Sequence, residues 1–259
     1  MKKIFLVFFI LILALGIPLT SLADTITVRA DSWMPYTGEP GDRPGYCVEI
    51  FKTIFEAAGY TVDYQAVAWT RAVADVSAGT IDAILGGDNG DCPSCLFPTE
   101  SIGKIQQTFY VKKGNPWKFA GLESLKGQRL GVVDGYSYDK GDLDGYIKKG
   151  DLPDVQKATG DNALPLNIKK LLSGRLDIVV EENQVMKMNL TDLGLSDDSI
   201  APAGMVSEAS DIFVAFAPGK DSSKKYMEIW NSGLRKLRAS GKLAEILARY
   251  GLTDWKSSE

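Results

Sequence analysis

Apolar and polar positions fall into short blocks that alternate between strand-like and helix-like spacing from Thr25 onward. The stretch Ile26 to Ala30 predicts a strand. Val48, Ile50, Phe51, Ile54 and Phe55 share one helical face, which predicts a helix over about Val48 to Ala58 closed by Gly59. Thr61 to Val67 alternates as a strand. A second helix starts near Thr70, turns Ala72, Val73 and Val76 inward, and ends at Gly79.

The next block is used twice. "AGTIDAILGG" (78–87) is echoed by "SGRLDIVVEE" (173–182). Each copy has a helix-ending glycine (Gly79, Gly174), a two-residue link, an aspartate (Asp82, Asp177) and a short apolar run. The glycine suits a positive φ, the aspartate suits turn amides as donors, and the apolar run suits a sheet buried on both faces. A second unit opens with "GQRLGVVDGYSYDKG", a strand over Arg129 to Val133 leading into a turn and a helix start. It continues with a helix near Leu164 to Leu172 and a strand over Asp177 to Val180. After "EASDIFVAFAPG" the chain ends in two helices, "YMEIWNSGLRKLRASG" and "KLAEILARYG", which close at Gly241 and Gly251. Alternating strands and helices argue for mostly parallel sheets in two α/β lobes. In such sheets a ligand sits outside the carboxyl ends of the strands.

The N-terminus adds a destination. Lys2 and Lys3 precede an apolar run from Ile4 to Leu15, and Ser21-Leu22-Ala23 supplies small residues for cleavage. This is the pattern of a secretory signal peptide over residues 1–23, cut after Ala23. The apolar run falls short of the roughly 20 residues a membrane span needs. No cysteine stands at the cut, which argues against a lipid anchor. A periplasmic or extracellular location follows. Losing the leader removes two lysines and no acid, taking the formal charge from −4 to −6. That balance argues against nucleic acid, which asks for a basic stripe. The chain has no histidine, so Ser-His-Asp and Cys-His nucleophile systems and most catalytic zinc sites are excluded.

Four segments, in order, resemble the family 3 extracellular solute-binding proteins, receptors of polar amino-acid uptake. They are "MPYTG…GYCVEIFKTIFEAAGY", "SAGTIDAILGG", "LESLKGQRLGVVDGYS" and "LRKLRASGKLAEILARYG". The resemblance implies a type II periplasmic-binding-protein fold, with two lobes joined by two crossing hinge segments and closing over a ligand. Lobe 1 is placed at residues 24–103 and 209–259, and lobe 2 at 104–208. It further implies a monomer with a small-molecule ligand, a membrane ABC permease as partner, and neither cofactor nor metal.

The strand ends then nominate a site. In lobe 1 these are Trp33 and Tyr36, Trp69 and Arg71, and Gly86, Gly87 and Asp88. Arg71 lies in the first turn of a helix, where a cation opposes the helix dipole, so an anionic partner is expected: a ligand carboxylate or a structural acid. Relatives carry a Ser or Thr and then Thr-Pro-x-Arg after this third strand, the arginine clamping the ligand carboxylate. Here no arginine occurs between Arg71 and Arg129, so either Arg71 substitutes or the ligand lacks a carboxylate. In lobe 2 the loop carrying Tyr136, Ser137 and Tyr138 resembles the family's anion-holding loop, its amides and the Ser137 hydroxyl donating. Glu182 falls where relatives keep the aspartate that accepts a ligand ammonium.

Cys47, Cys92 and Cys95 are an odd set for an oxidising compartment. With no histidine and no second paired motif, zinc is disfavoured. A structural disulfide is expected, either Cys92 with Cys95, the preferred pairing, or one of them with Cys47. The leading reading is a non-enzymatic receptor for a small zwitterionic or cationic ligand. The alternatives are a cyclohexadienyl-dehydratase-like enzyme using Glu181, Glu182 or Asp88, and a ligand-sensing module for a membrane partner.

Overall fold

The computed structural model describes residues 23–149, 154–160 and 162–256; the expected leader lies outside them except for Ala23. The first unit runs β1 (Thr25–Ala30), α1 (Tyr46–Ala57), β2 (Thr61–Ala66), α2 (Trp69–Ser77), β3 (Ala83–Gly87) and β4 (Gly103–Ile105). The second runs β5 (Gln107–Lys112), β6 (Leu130–Val133), α3 (Asp142–Lys149), β7 (Val155–Ala158), α4 (Ala163–Leu172), β8 (Ile178–Glu182), α5 (Asn183–Asp192) and β9 (Ile200–Met205). The chain then returns through β10 (Ser210–Phe216), α6 (Asp221–Ala239) and α7 (Lys242–Ala248).

Two five-stranded sheets result, ordered β2-β1-β3-β10-β4 and β7-β6-β8-β5-β9. In each, three strands pair in parallel, β1 with β2 and β3, and β6 with β7 and β8. The fourth, β10 or β5, runs antiparallel to them, and the edge strand, β4 or β9, is antiparallel to that fourth strand, so both sheets are mixed. Those added strands flank the crossings. One crossing is the single residue 106 between β4 and β5, and the other is 206–209 between β9 and β10. The two crossings are stitched together by the Val206 amide donating to the Gln107 carbonyl at 2.9 Å.

The echoed block explains why both sheets share one order. Gly79 and Gly174 take φ of 71° and 73°, the left-handed region where a side chain is strained. Each following aspartate then reaches across to the neighbouring strand rather than to its own turn. Asp82 accepts from the Thr27 amide at 2.8 Å and the Thr27 hydroxyl at 2.7 Å. Asp177 accepts from the Arg129 amide at 2.8 Å and forks onto the Arg129 guanidinium at 2.8 and 2.7 Å. That guanidinium holds the Asp177 carboxyl below its ordinary value. Each aspartate thus locks the third parallel strand beside the first.

The first sheet is covered by α1, whose Phe51 and Phe55 pack with Trp230 of α6. A Cβ on Gly233 would lie 2.4 Å from Ile54 Cγ2, so these two helices meet where only glycine fits. The second sheet has its own core around Phe109, Val132, Ile178 and Val180. A third cluster joins Trp69, Ala72, Val76 and Ile84 to Cys92 and Cys95.

Replacing Asp82 with Ala strips the Thr27 amide of its acceptor and leaves Lys220, 2.7 Å away, with the Ile81 carbonyl but no carboxylate partner. The expected loss is about 1–3 kcal/mol of unfolding free energy, read from urea denaturation. A change within about 0.5 kcal/mol, typical of an inert surface position, contradicts the locking role.

Candidate functional site

A cleft of about 140 Å³ opens between the two sheets, walled by the segments that follow their parallel strands. β1 contributes Asp31 and Trp33, the start of α2 contributes Trp69 and Thr70, β6 contributes Asp134 and Tyr136, and β8 contributes Glu181. Val185, Asn189 and Asp192 of α5 close one side. A side pocket of about 30 Å³ shares Asp31, Trp33, Trp69 and Tyr136 and reaches Gly86, Asp88, Asp91 and Ser137.

Direct contacts bridge the sheets here. The Trp33 indole N–H donates to Glu181 Oε1 at 3.0 Å. The Tyr136 hydroxyl donates to Asp31. Lys140, at a left-handed φ of 57°, pairs with Asp88 at 3.1 Å. The Tyr136 ring meets the Trp33 and Trp69 rings edge-on, each at 6.4 Å between centroids.

The expected residues divide into two groups. Trp33, Trp69, Gly86, Asp88, Tyr136 and Ser137 line the cleft or its side pocket. Gly87 lies beside them, where a Cβ would meet the Trp69 ring at 3.4 Å. The others do not reach the cleft. Tyr36 stacks behind Trp33 at 4.4 Å and donates to the Lys104 carbonyl in β4, next to the crossing. Tyr138 is buried in the second core, its hydroxyl accepting from the Val133 amide at 2.8 Å. Arg71 is out on the surface, its side chain 74% exposed and paired with Asp75 at 3.4 Å; its anionic partner is the acid one turn along the same helix. Glu182 is a helix cap, accepting from the Gln184 and Val185 amides at 2.6 and 3.0 Å.

The anion-holding expectation for the Tyr136–Tyr138 loop meets a physical obstacle. The Ser137 hydroxyl and the Tyr138 amide both donate to Asp144 at 2.8 Å, and the Ser137 amide donates to Asp91. These donors serve the protein's own carboxylates.

Glu181, not Glu182, faces the cleft. Successive strand residues point to opposite faces, so only one of the pair can do so. Glu181 is fully buried. Its Oε1 accepts from Trp33 and from the Glu182 amide at 2.9 Å, while Oε2 has no partner among the described residues. Burial first, with the Glu182 and Asp31 carboxylates adding repulsion, pushes the carboxyl up to about 8. Asp91 is pushed up to about 7 by burial and then by Asp88. It also accepts from the Trp69 indole at 3.3 Å and the Asp88 amide at 2.9 Å. Asp31, Asp91, Asp134 and Asp192 were not nominated from sequence, although Asp31 directly follows the first strand.

Cys92 and Cys95 are joined in a disulfide, and Cys47 is buried and free, which removes the Cys47 pairing. The bridge packs beneath Trp69 and braces the loop presenting Asp88 and Asp91. Among the described residues no group of three or more acids or thiols is arranged to hold a metal ion.

A family model, bacterial extracellular solute-binding proteins, family 3, matches residues 26–253. The chain belongs to that family. No curated protein sequence matches it. Among solved structures, the arginine-, lysine-, histidine-binding protein ArtJ from Geobacillus stearothermophilus is 19% identical with TM-score 0.70, covering 90% of this chain and 97% of that one. A histidine kinase sensor domain similar to periplasmic binding proteins is 22% identical with TM-score 0.71, covering 87% and 95%. The ancestral amino acid-binding protein AncCDT-1, a precursor of cyclohexadienyl dehydratase, is 16% identical with TM-score 0.66, covering 87% and 94%. At these identities the likeness is one of fold.

The Glu181 carboxyl makes stability depend on pH. Unfolded, it ionises near its ordinary 4.5; folded, near 8. Between these values the folded chain holds a proton that unfolding releases, so stability falls as pH rises from 4.5 and levels off above 8. Glu181→Gln keeps the Oε1 acceptor and removes the titration. Thermal melts of the variant should match wild type near pH 4.5 and exceed it by pH 8, by on the order of a few kcal/mol. Parallel curves across that range contradict a buried titrating Glu181.

Proposed function

We propose that the chain is an exported receptor that captures a small, positively charged polar molecule between its lobes and delivers it to an ABC-type membrane permease. The observation that carries this reading is the chemistry of the cleft walls. Trp33, Trp69 and Tyr136 offer aromatic surface, Asp31, Asp134, Glu181 and Asp192 offer carboxylates, and no lysine or arginine lines the space among the described residues. Aromatic rings and carboxylates both attract cations. Family membership supports the receptor role, and the leader-like N-terminus supports export. Structures sharing the fold include one described as binding arginine, lysine and histidine, amino acids whose side chains carry or can take up a positive charge. Closure at the two crossings is the conformational step, a hinge motion between rigid lobes.

A second reading draws on Glu181 alone. A buried carboxyl that keeps its proton near neutral pH is suited to general-acid work, and the free Oε2 faces no protein donor. The receptor reading requires that a bound ligand be recovered unchanged, whereas the enzymatic reading requires turnover.

Both are addressed by calorimetry and thermal shift against a panel of small amines, amino acids, organic anions and sugars, followed by mass analysis of the recovered ligand. A bound cation at a hundred times its Kd should stabilise the protein by about 2.7 kcal/mol. Trp69→Ala should weaken its binding at least about tenfold. Stabilisation by no member of the panel contradicts the receptor reading, and conversion of the ligand shifts the assignment to an enzyme.

A further inference from the structure

The cationic side chains and loop donors expected to hold a ligand carboxylate are committed elsewhere. Ser137 and Tyr138 donate to Asp144, the Ser137 amide to Asp91, and Lys140 to Asp88 at 3.1 Å. Arg71 lies on the surface with Asp75. Among the described residues neither the cleft nor its side pocket is lined by a lysine or an arginine.

One acceptor is in the opposite condition. Glu181 lines the cleft, is fully buried, and has an Oε2 with no partner among the described residues. An acceptor in that position calls for a donor, and an ionised one calls for a charged donor. Trp33, Trp69 and Tyr136 supply the aromatic surface beside it. A ligand bearing its own carboxylate would set a like charge among Asp31, Asp134 and Asp192, with no guanidinium or ammonium among the described lining residues to offset it. Like charges at close range in a poorly hydrated cleft repel strongly.

We infer that the cleft selects an organic cation without a carboxylate, a primary amine or a guanidinium, and that Glu181 is its counter-ion. This rests on the receptor reading above and narrows it. The cationic nitrogen donates to Glu181 Oε2, while Oε1 stays engaged with Trp33 and the Glu182 amide. The carbon chain lies along the aromatic rings. Selection against amino acids comes from repulsion by the acidic walls as much as from attraction to the amine.

Matched pairs differing only in the carboxylate test this: agmatine with arginine, putrescine with ornithine, and histamine with histidine. Each is titrated into the full mature chain by calorimetry. At least one amine should bind, and its amino acid should bind at least about tenfold more weakly. Glu181→Gln should lower the amine's affinity at least about tenfold while the variant keeps its circular dichroism spectrum and cooperative melt. Preferred binding of a cationic amino acid overturns the inference and leaves the receptor reading standing. Preferred binding of an organic anion or an uncharged solute overturns the inference and the cationic part of that reading, and leaves a receptor role. Amine binding indifferent to Glu181→Gln overturns the counter-ion assignment. Silence of these six and of the wider panel overturns the receptor reading, and this inference with it.

Discussion

A glutamate buried at the meeting point of two lobes, with one oxygen held and one unpaired, is the constraint around which this molecule is arranged. Glu181 lies one residue before the end of β8 in the second sheet, and Trp33 follows the first strand of the other. Their hydrogen bond spans the cleft, so the separation of the lobes and the environment of the carboxyl are set together. Moving the lobes apart readmits water to Glu181 and lets it ionise. Bringing them together around a cation replaces that water with a fixed positive charge. Either way the carboxyl gains what its present surroundings deny it, a partner for its negative form.

The fold supplies this geometry by using one plan twice. The Asp82–Thr27 and Asp177–Arg129 locks hold the third parallel strand of each sheet beside the first. That places the carboxyl ends of both sheets' parallel strands around a common space. The disulfide-braced loop then fills a gap on the first side. Its Asp88 and Asp91 contact Lys140 and Ser137 of the second unit, so the loop works as a polar latch across the mouth. The C-terminal segment is tied near the hinge by Trp255 donating to Ser101 and by Lys256 and Arg238 pairing with Glu100.

Much of this was legible in the chain. The glycine–aspartate echo, the helical faces of α1 and α6 and the strand-end rule located two lobes and the space between them. The shortest strands were harder to see. β7 is four residues with a lysine in it, and β4 is three residues, too short for a period to register. The site was legible as a set of places more than as a set of residues. Glu181 and Glu182 are adjacent, and only the pleat decides which one enters the cleft and which caps α5. Arg71 was the candidate substitute for the missing family arginine, but its position on α2 turns it to solvent beside Asp75. Tyr138 follows two cleft residues, yet the turn carries it into the core. In each case the chemistry of the residue was readable, while its direction was set by backbone geometry that spacing alone does not fix.

The central claim is that a cation entering the cleft ionises Glu181. Calorimetry of amine binding at pH 7, repeated in buffers of different ionisation enthalpy, counts the protons exchanged. An alkylamine stays protonated there, its value lying near 10.4, so any proton released comes from the protein. With Glu181 held near 8, wild type should release nearly one proton more per ligand bound than Glu181→Gln. Equal proton release from the two proteins would contradict the account.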